Sequence, residues 1–119
     1  MGKENVIQEK SYAFALRIIK LHQLMVDDHN EYVLSKQILR SGTSIGANIE
    51  EAIGGQSRKD FQAKIFISYK EARETHYWIR LIRDSGIISR NLANSLIDDC
   101  EELKRILSSI LLTLRQNNS

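Results

Sequence analysis

Gly42 and Gly46 stand four residues apart in Ser-Gly-Thr-Ser-Ile-Gly-Ala-Asn-Ile-Glu-Glu-Ala-Ile, residues 41–53, the stretch that most constrains the fold. By composition this run is loop-like. Each interior glycine costs a helix about 1 kcal/mol against alanine, and Ser, Thr and Asn are weak helix formers. By periodicity it is a helix: Ile38, Ile45, Ile49 and Ile53 recur at helical spacings, and Gly42 fills the gap between the first two. On a helix the two glycines share one face without side chains, where a second helix can approach at backbone distance. The helix is the reading adopted, with close packing at Gly42 and Gly46 offsetting the poor propensity. The chain contains no proline, which suits long continuous helices.

Three further helices follow from the pattern. Ile7, Phe14, Ile18, Leu21 and Met25, widened by Ala15 and Ile19, predict a first helix over about 6–26. Asp27 and Asp28 oppose the dipole at its C-terminal end, and Asn30 is placed to cap a second helix over about 31–53. Gly54-Gly55 supplies the left-handed conformation that helix ends favour. Ser57-x-x-Asp60 resembles a capping box and opens a third helix over about 57–84. There Phe61, Ile65, Ser68, Ala72, Thr75, Ile79 and Ile82 alternate by four and three, a bundle seam whose small middle matches the small patch at Gly42 and Gly46. Ser89 or Asn91 caps a fourth, over about 89–114, with Leu92, Leu96, Leu103, Leu107, Ile110 and Leu114 inward and residues 116–119 a frayed tail. Four long helices with short connections predict one all-α domain, an antiparallel up-down four-helix bundle. Phe66, Tyr69, Tyr77 and Trp78 fall partly outside the third seam, and this surplus apolar surface predicts a second interface and hence an oligomer.

Composition narrows the function classes. No apolar run reaches the length of a membrane span, and Met-Gly-Lys-Glu-Asn has no apolar signal core, so a cytoplasmic protein with no membrane partner is expected. Cys100, the single cysteine, lies among Ala93, Leu96, Leu103 and Leu107 and reads as a buried thiol. Net charge is +2, but the surplus is local: residues 57–90 carry eight basic and four acidic side chains. Aligned copies of that helix would strengthen a weak polyanion signal.

Four constellations are candidates for chemistry. Arg40, Ser44, Asn48 and Glu51 share a face of the second helix, and Glu71, Glu74 and Trp78 a face of the third. If the faces meet, Arg40 or Asn48 pairs with Glu71 or Glu74, as a structural network or an interface. A di-iron bundle needs inward Glu-x-x-His, but Ile19, Val26 and Arg73 precede His22, His29 and His76 by three, so neither metal nor cofactor is expected. Arg17 and His22 match the short Arg-x4-His pattern of HEPN-type ribonucleases. On a straight helix they diverge by roughly 140°, and two polar surface residues are the plainer explanation. Finally, Lys59, Lys70, Arg73 and Arg80 fall with Phe66 and Tyr77 on heptad-related positions of the third helix, flanked by Arg83, Arg58 and Lys64. Cations interleaved with aromatics suit phosphate contact plus ring stacking; a solvated helix face with interface aromatics is an equally natural reading.

Arg40 to Ala52, then Ser57-x-x-Asp-Phe61, then Lys70-Glu-Ala-x-Glu-Thr-x-Tyr-Trp78 closely resemble the bacterial four helix bundle protein family. Its members include proteins encoded in intervening sequences of 23S ribosomal RNA and, as relatives, accessory proteins of diversity-generating retroelements. The resemblance covers nearly the whole chain and is dense from 40 to 84. It implies an up-down bundle assembled as a homopentameric barrel. For the retroelement relatives it implies nucleic-acid binding and engagement of a reverse transcriptase. At +2 this chain is less basic than that role demands, though five copies would carry about +10. Arg40, Ser44, Asn48, Glu51, Glu71, Glu74 and Trp78 match the family motif, which does not itself say whether they bind, assemble or fold. The combined expectation is a non-enzymatic oligomeric scaffold that binds structured RNA or DNA through Lys59, Lys70, Arg73, Arg80 and Arg83. The alternatives are a purely structural assembly protein and, less favoured, a ribonuclease.

Overall fold

Four helices account for nearly the whole chain in the computed structural model, which describes residues 2–117, the side chains of Lys3 and Glu4 excepted. They are α1 (Lys3–His29), α2 (Val33–Ile53), α3 (Arg58–Asp84) and α4 (Arg90–Asn117). Short connections reverse the chain each time, giving an up-down bundle of 48 × 21 × 21 Å. Each helix packs on its sequence neighbours and α1 closes the ring on α4, with no diagonal contact among the described residues. The helices therefore stand at the corners of a square, and the α1–α4 edge is the thinnest.

The core is drawn from one stripe of each helix. Ile7, Phe14, Ile18, Leu21 and Met25 of α1 are buried, with Ile38, Ile45, Ile49 and Ala52 of α2. From α3 come Ile65, Ser68, Ala72, Thr75, Ile79 and Ile82; α4 adds Ala93, Leu96, Cys100, Leu103, Leu107 and Ile110. Ile19 departs from expectation: the α1 stripe is narrower than predicted, and Ile19 is 40 % exposed, beside Tyr12 at 67 % and Leu16 at 49 %. The bundle has only one inward sector per helix, and these three lie outside it.

The glycine face works as a close-packing surface, but against a different helix from the one expected. A Cβ on Gly42 would lie 2.8 Å from both Cγ1 and Cγ2 of Ile18, and one on Gly46 would lie 3.3 Å from Ser11 Oγ. The glycines therefore receive α1. The small residues of α3 meet the other edge of α2: Ser68 Oγ donates to the Ile45 carbonyl at 2.8 Å, and the Thr75 and Ser41 hydroxyls are bonded at 2.9 Å. These buried hydroxyls are all satisfied, so they fix helix register without leaving an uncompensated polar group.

The helix ends also revise the sequence reading. α1 runs through Asp27 and Asp28, and Asn30 is its left-handed C-cap (φ 52°) rather than the N-cap of α2. The amides of Asn30 and Glu31 both reach the Met25 carbonyl, and Asn tolerates this conformation better than other residues with a Cβ. The Glu31 carboxylate takes over the capping of α2, accepting from the Leu34 and Ser35 amides at 3.0 and 2.9 Å. Gly54 ends α2 at φ −82°, not in the left-handed region, whereas Gly86 (φ +79°) does use it after α3. Ser57 and Ser89 cap α3 and α4 by accepting from the Asp60 and Leu92 amides. The last helix reaches Asn117, beyond the predicted end, so Gln116 and Asn117 are helical; Asn118 and Ser119 lie outside the described residues.

Candidate nucleic-acid interface

The bundle geometry sorts the charges of α3 into three directions. Its buried seam faces the core, one flank faces α2, the other faces α4, and the remaining arc is open to solvent. Glu71 and Glu74 lie on the α2 flank. Arg40 of α2 reaches both, Glu71 at 3.2 Å, and Trp78 Nε1 donates to the same Glu74 oxygen at 2.9 Å. The Tyr77 and Trp78 rings meet edge to face at 5.2 Å. Arg40 thus pairs with both acids inside one chain. Asn48 does not pair with either: its amide donates back to the Ser44 carbonyl, and Ser44 Oγ to that of Arg40. Glu51 is bonded to Lys64, one of the cations expected to flank the basic stripe.

On the α4 flank, Arg83 is bonded to Asp84 and to Asn94 Oδ1 at 3.0 Å. One of the cations that the sequence offers for phosphate contact, Arg83 is half-buried, and its bond to Asn94 also ties α3 to α4. His76 Nε2 lies 2.8 Å from Glu101 Oε1, which also accepts from Lys104 at 3.0 Å. Burial pushes the His76 pKa below its ordinary 6.5, with Lys104, Arg80 and Arg83 adding to the effect and Glu101 opposing it. The hydrogen bond to Glu101 is therefore that of a neutral imidazole. As pH falls below 6.5, the unfolded chain takes up this proton before the folded one, so stability is full above 6.5 and declines below it. The bond from Lys104 holds Glu101 below the usual carboxylate range, as that from Arg83 holds Asp84, so both titrate at lower pH. The melting midpoint of the wild type should fall more steeply than that of His76→Gln as pH drops through this window. Parallel curves would show that His76 is not the group responsible.

The open arc of α3 carries Lys59, Phe66, Lys70, Arg73, Tyr77 and Arg80. All six are exposed, and among the described residues none of the four cations forms an ion pair. Lys70 Nζ sits 5.8 Å from the Phe66 ring centroid, and Arg80 Cζ 5.9 Å from that of Tyr77. From Lys59 to Arg80 the row spans about 30 Å of helix. Elsewhere Lys10 pairs with Glu102, Arg17 with Asp99, Arg90 with Asp84 and Lys104 with Glu101, while Lys20, Lys36, Arg58, Arg105 and Arg115 form no ion pair among the described residues.

Arg17 also donates to Ser95 Oγ at 3.0 Å, so its guanidinium closes the α1–α4 edge. Cys100 is buried, donates to the Ala72 carbonyl at 3.2 Å, and has its pKa pushed up to about 12 by burial, which removes thiolate chemistry at neutral pH. Among the described residues no three His, Cys, Asp or Glu side chains are grouped to hold a metal ion. Among the described residues no helix is long and apolar enough to cross a membrane. One feature escaped the sequence reading: a cleft between α3 and α4 that sets Phe66 and Tyr69 beside Leu112 and Arg115. Only the doubled Leu111-Leu112 hinted at it, by widening the apolar stripe of α4 beyond one sector.

Fold and surface together define a small all-α bundle with one cation-rich side studded with aromatic rings. The family described as 23S rRNA-intervening sequence protein matches residues 3–109, and the chain belongs to it. A crystal structure from Bacteroides thetaiotaomicron, of a protein with unknown function from the S23 ribosomal protein family, is similar at 49 % identity with a TM-score of 0.90. The similarity covers 92 % of this chain and 97 % of that one. No curated protein matches the chain. Neither matching description names an enzymatic activity.

Proposed function

We propose that this protein is a non-catalytic, self-associating scaffold that binds RNA or DNA through the outer face of α3. The observation that carries the reading is the row Lys59, Lys70, Arg73 and Arg80, exposed and without ion pairs among the described residues. Phosphate recognition needs cations whose charge is not already spent, and their release of counterions drives binding. Of the neighbouring acids, Glu71 and Glu74 are turned to Arg40 and Asp84 to Arg83, which leaves Asp60, beside Lys59, as the one acid of α3 without an ion pair among the described residues.

Self-association rests on a separate observation. Tyr12, Leu16 and Ile19 form an exposed apolar patch on α1, while Ile67 and Leu81 are exposed on α3. Patches of this kind, on different sides of a monomer, suit copies joined head to tail into a closed ring. A ring would repeat the basic row and raise its local potential, with a homopentamer as the expected form. Localisation in the cytoplasm, and engagement of a protein such as a reverse transcriptase, belong to the same proposal.

The test is a titration into labelled structured RNA and duplex DNA, followed by anisotropy at rising salt. Affinity should fall linearly on logarithmic axes with a slope that reports several phosphate contacts, about −0.9 per contact on duplex DNA. No binding at low salt would remove the nucleic-acid role and leave assembly as the function.

A further inference from the structure

We infer that the cleft between α3 and α4 receives an unpaired base of a single-stranded nucleic acid whose phosphates lie along the α3 row. The inference rests on the polyanion reading above and names the class of nucleic acid that this surface would prefer. The cleft has a volume of about 500 Å³, within the range of small-ligand sites. Its apolar lining is Phe66, Tyr69, Leu111 and Leu112, and its polar lining is Gln62, Ser108 and Arg115.

Two properties point to a base rather than to an apolar partner. First, Phe66 belongs to both features: it lines the cleft, and Lys70 of the basic row stands over its ring at 5.8 Å. A chain whose backbone follows the row therefore passes the mouth of the cleft. Second, cations stand in and beside the cleft. Arg115 lines it, and the adjoining depression around Tyr69, Ser108 and Leu112 is lined by Lys104 and Arg105. Glu101 is the one acid there, and it is bonded to Lys104 and His76. An aromatic and aliphatic slot with cations in it and beside it matches the two ends of a nucleotide, a flat ring and a phosphate. Tyr77, with Arg80 at 5.9 Å from its ring, repeats the pairing farther along the helix and offers a second platform about 16 Å away.

A paired base cannot reach either place. In a duplex the ring faces are stacked and the phosphates are outermost, so a duplex meets only the cations. The surface should therefore separate single strands from duplexes through its aromatic residues, and not through its charges.

The experiment compares oligouridine, oligothymidine, an RNA duplex of similar length and inorganic polyphosphate, using wild-type protein and the variants Phe66→Ala and Leu112→Trp. Both positions are half exposed, so folding is checked by the thermal midpoint. The wild type should bind the single strands more tightly than the duplex or polyphosphate. Phe66→Ala should weaken single-strand binding roughly tenfold, as loss of one stacking contact does. Leu112→Trp should weaken it by filling the cleft. Duplex and polyphosphate affinity should change much less than single-strand affinity in either variant, and the salt slope should hold. Equal loss on all four probes, or no loss on any, overturns the base cleft while leaving the polyanion face standing. Absence of wild-type binding to every probe removes the polyanion reading itself, and the cleft inference with it.

Discussion

Gly42→Val should destabilise the fold by about 3 kcal/mol and lower its melting midpoint by roughly 10 °C. The cause is the distance between α1 and α2. A Cβ at position 42 would lie 2.8 Å from two carbons of Ile18, and Ile18 is fully buried. Those carbons branch directly from the Ile18 Cβ, so no flexible tip can swing aside, and a β-branched side chain in a helix has essentially one rotamer. The helices must separate or Ile18 must leave its packing. Alanine at 42 meets the same clash with less bulk and gains about 1 kcal/mol of helix propensity, so Gly42→Ala should fall between valine and wild type. Gly46→Ala is the internal control. Its nearest neighbour is Ser11 Oγ at 3.3 Å, and the Ser11 backbone is 3.5 Å away. Relaxation of a few tenths of an ångström suffices there, and the propensity gain should leave stability within about 0.5 kcal/mol of wild type. Urea and thermal unfolding of the three variants test the ordering. A Gly42→Val protein as stable as wild type would mean that α1 and α2 do not approach this closely in solution.

The same contact shows what could be read from the sequence. Isoleucine spacing placed Gly42 and Gly46 on one side of a helix, and that face is tightly packed. It could not say which neighbour fills it. Short connections make successive helices antiparallel neighbours, but they do not decide whether the square turns left or right from α1 to α3. That choice assigns the glycine edge to Ile18 and the Ser41 edge to Thr75. Arg40 with Glu71 and Glu74 was legible because both helices offered one complementary polar edge. Arg83 was not, because its partner Asn94 lies on α4 and an isolated asparagine gives no periodic signal. Asn30 and Gly54 show the limit of cap rules. Both helices end where such residues occur, but Glu31 supplies the capping carboxylate for α2, and Gly54 is not left-handed. The dense motif from 40 to 84 pointed to the family that matches residues 3–109, because it combines the glycine face with the polar edge beside it.

Arg40 links this architecture to the basic surface. Residues 57–90 hold four acids, and three of them are engaged at the flanks of α3: Glu71 and Glu74 by Arg40, and Asp84 by Arg83. The network that fixes α2 against α3 therefore also keeps carboxylates away from the outer arc. A modest net charge of +2 is compatible with a concentrated cationic row, because most of the acids sit on other helices and three of the four in residues 57–90 are bonded at the flanks.

Arg73→Glu with Arg80→Glu should keep the fold and lose on the order of 100-fold in nucleic-acid affinity at moderate salt. Both side chains point away from the core and neither forms an ion pair among the described residues, so stability should stay within about 1 kcal/mol of wild type. Two phosphate contacts disappear, and two carboxylates are placed where phosphates must pass. The salt slope on duplex DNA should shrink by about 2, since each lost contact removes about 0.9. Net charge alone would produce part of this effect at long range, so the matched comparison is Lys20→Glu with Lys36→Glu. That pair changes net charge equally on exposed positions of α1 and α2 and should leave the slope nearly intact. Equal losses from the two double variants would mean that the protein binds by its overall field. Full affinity in folded Arg73→Glu/Arg80→Glu protein would exclude the outer face of α3 as the site. A large, slope-changing loss confined to that pair is the result this surface predicts, because four exposed cations without ion pairs among the described residues lie along the outer arc of α3.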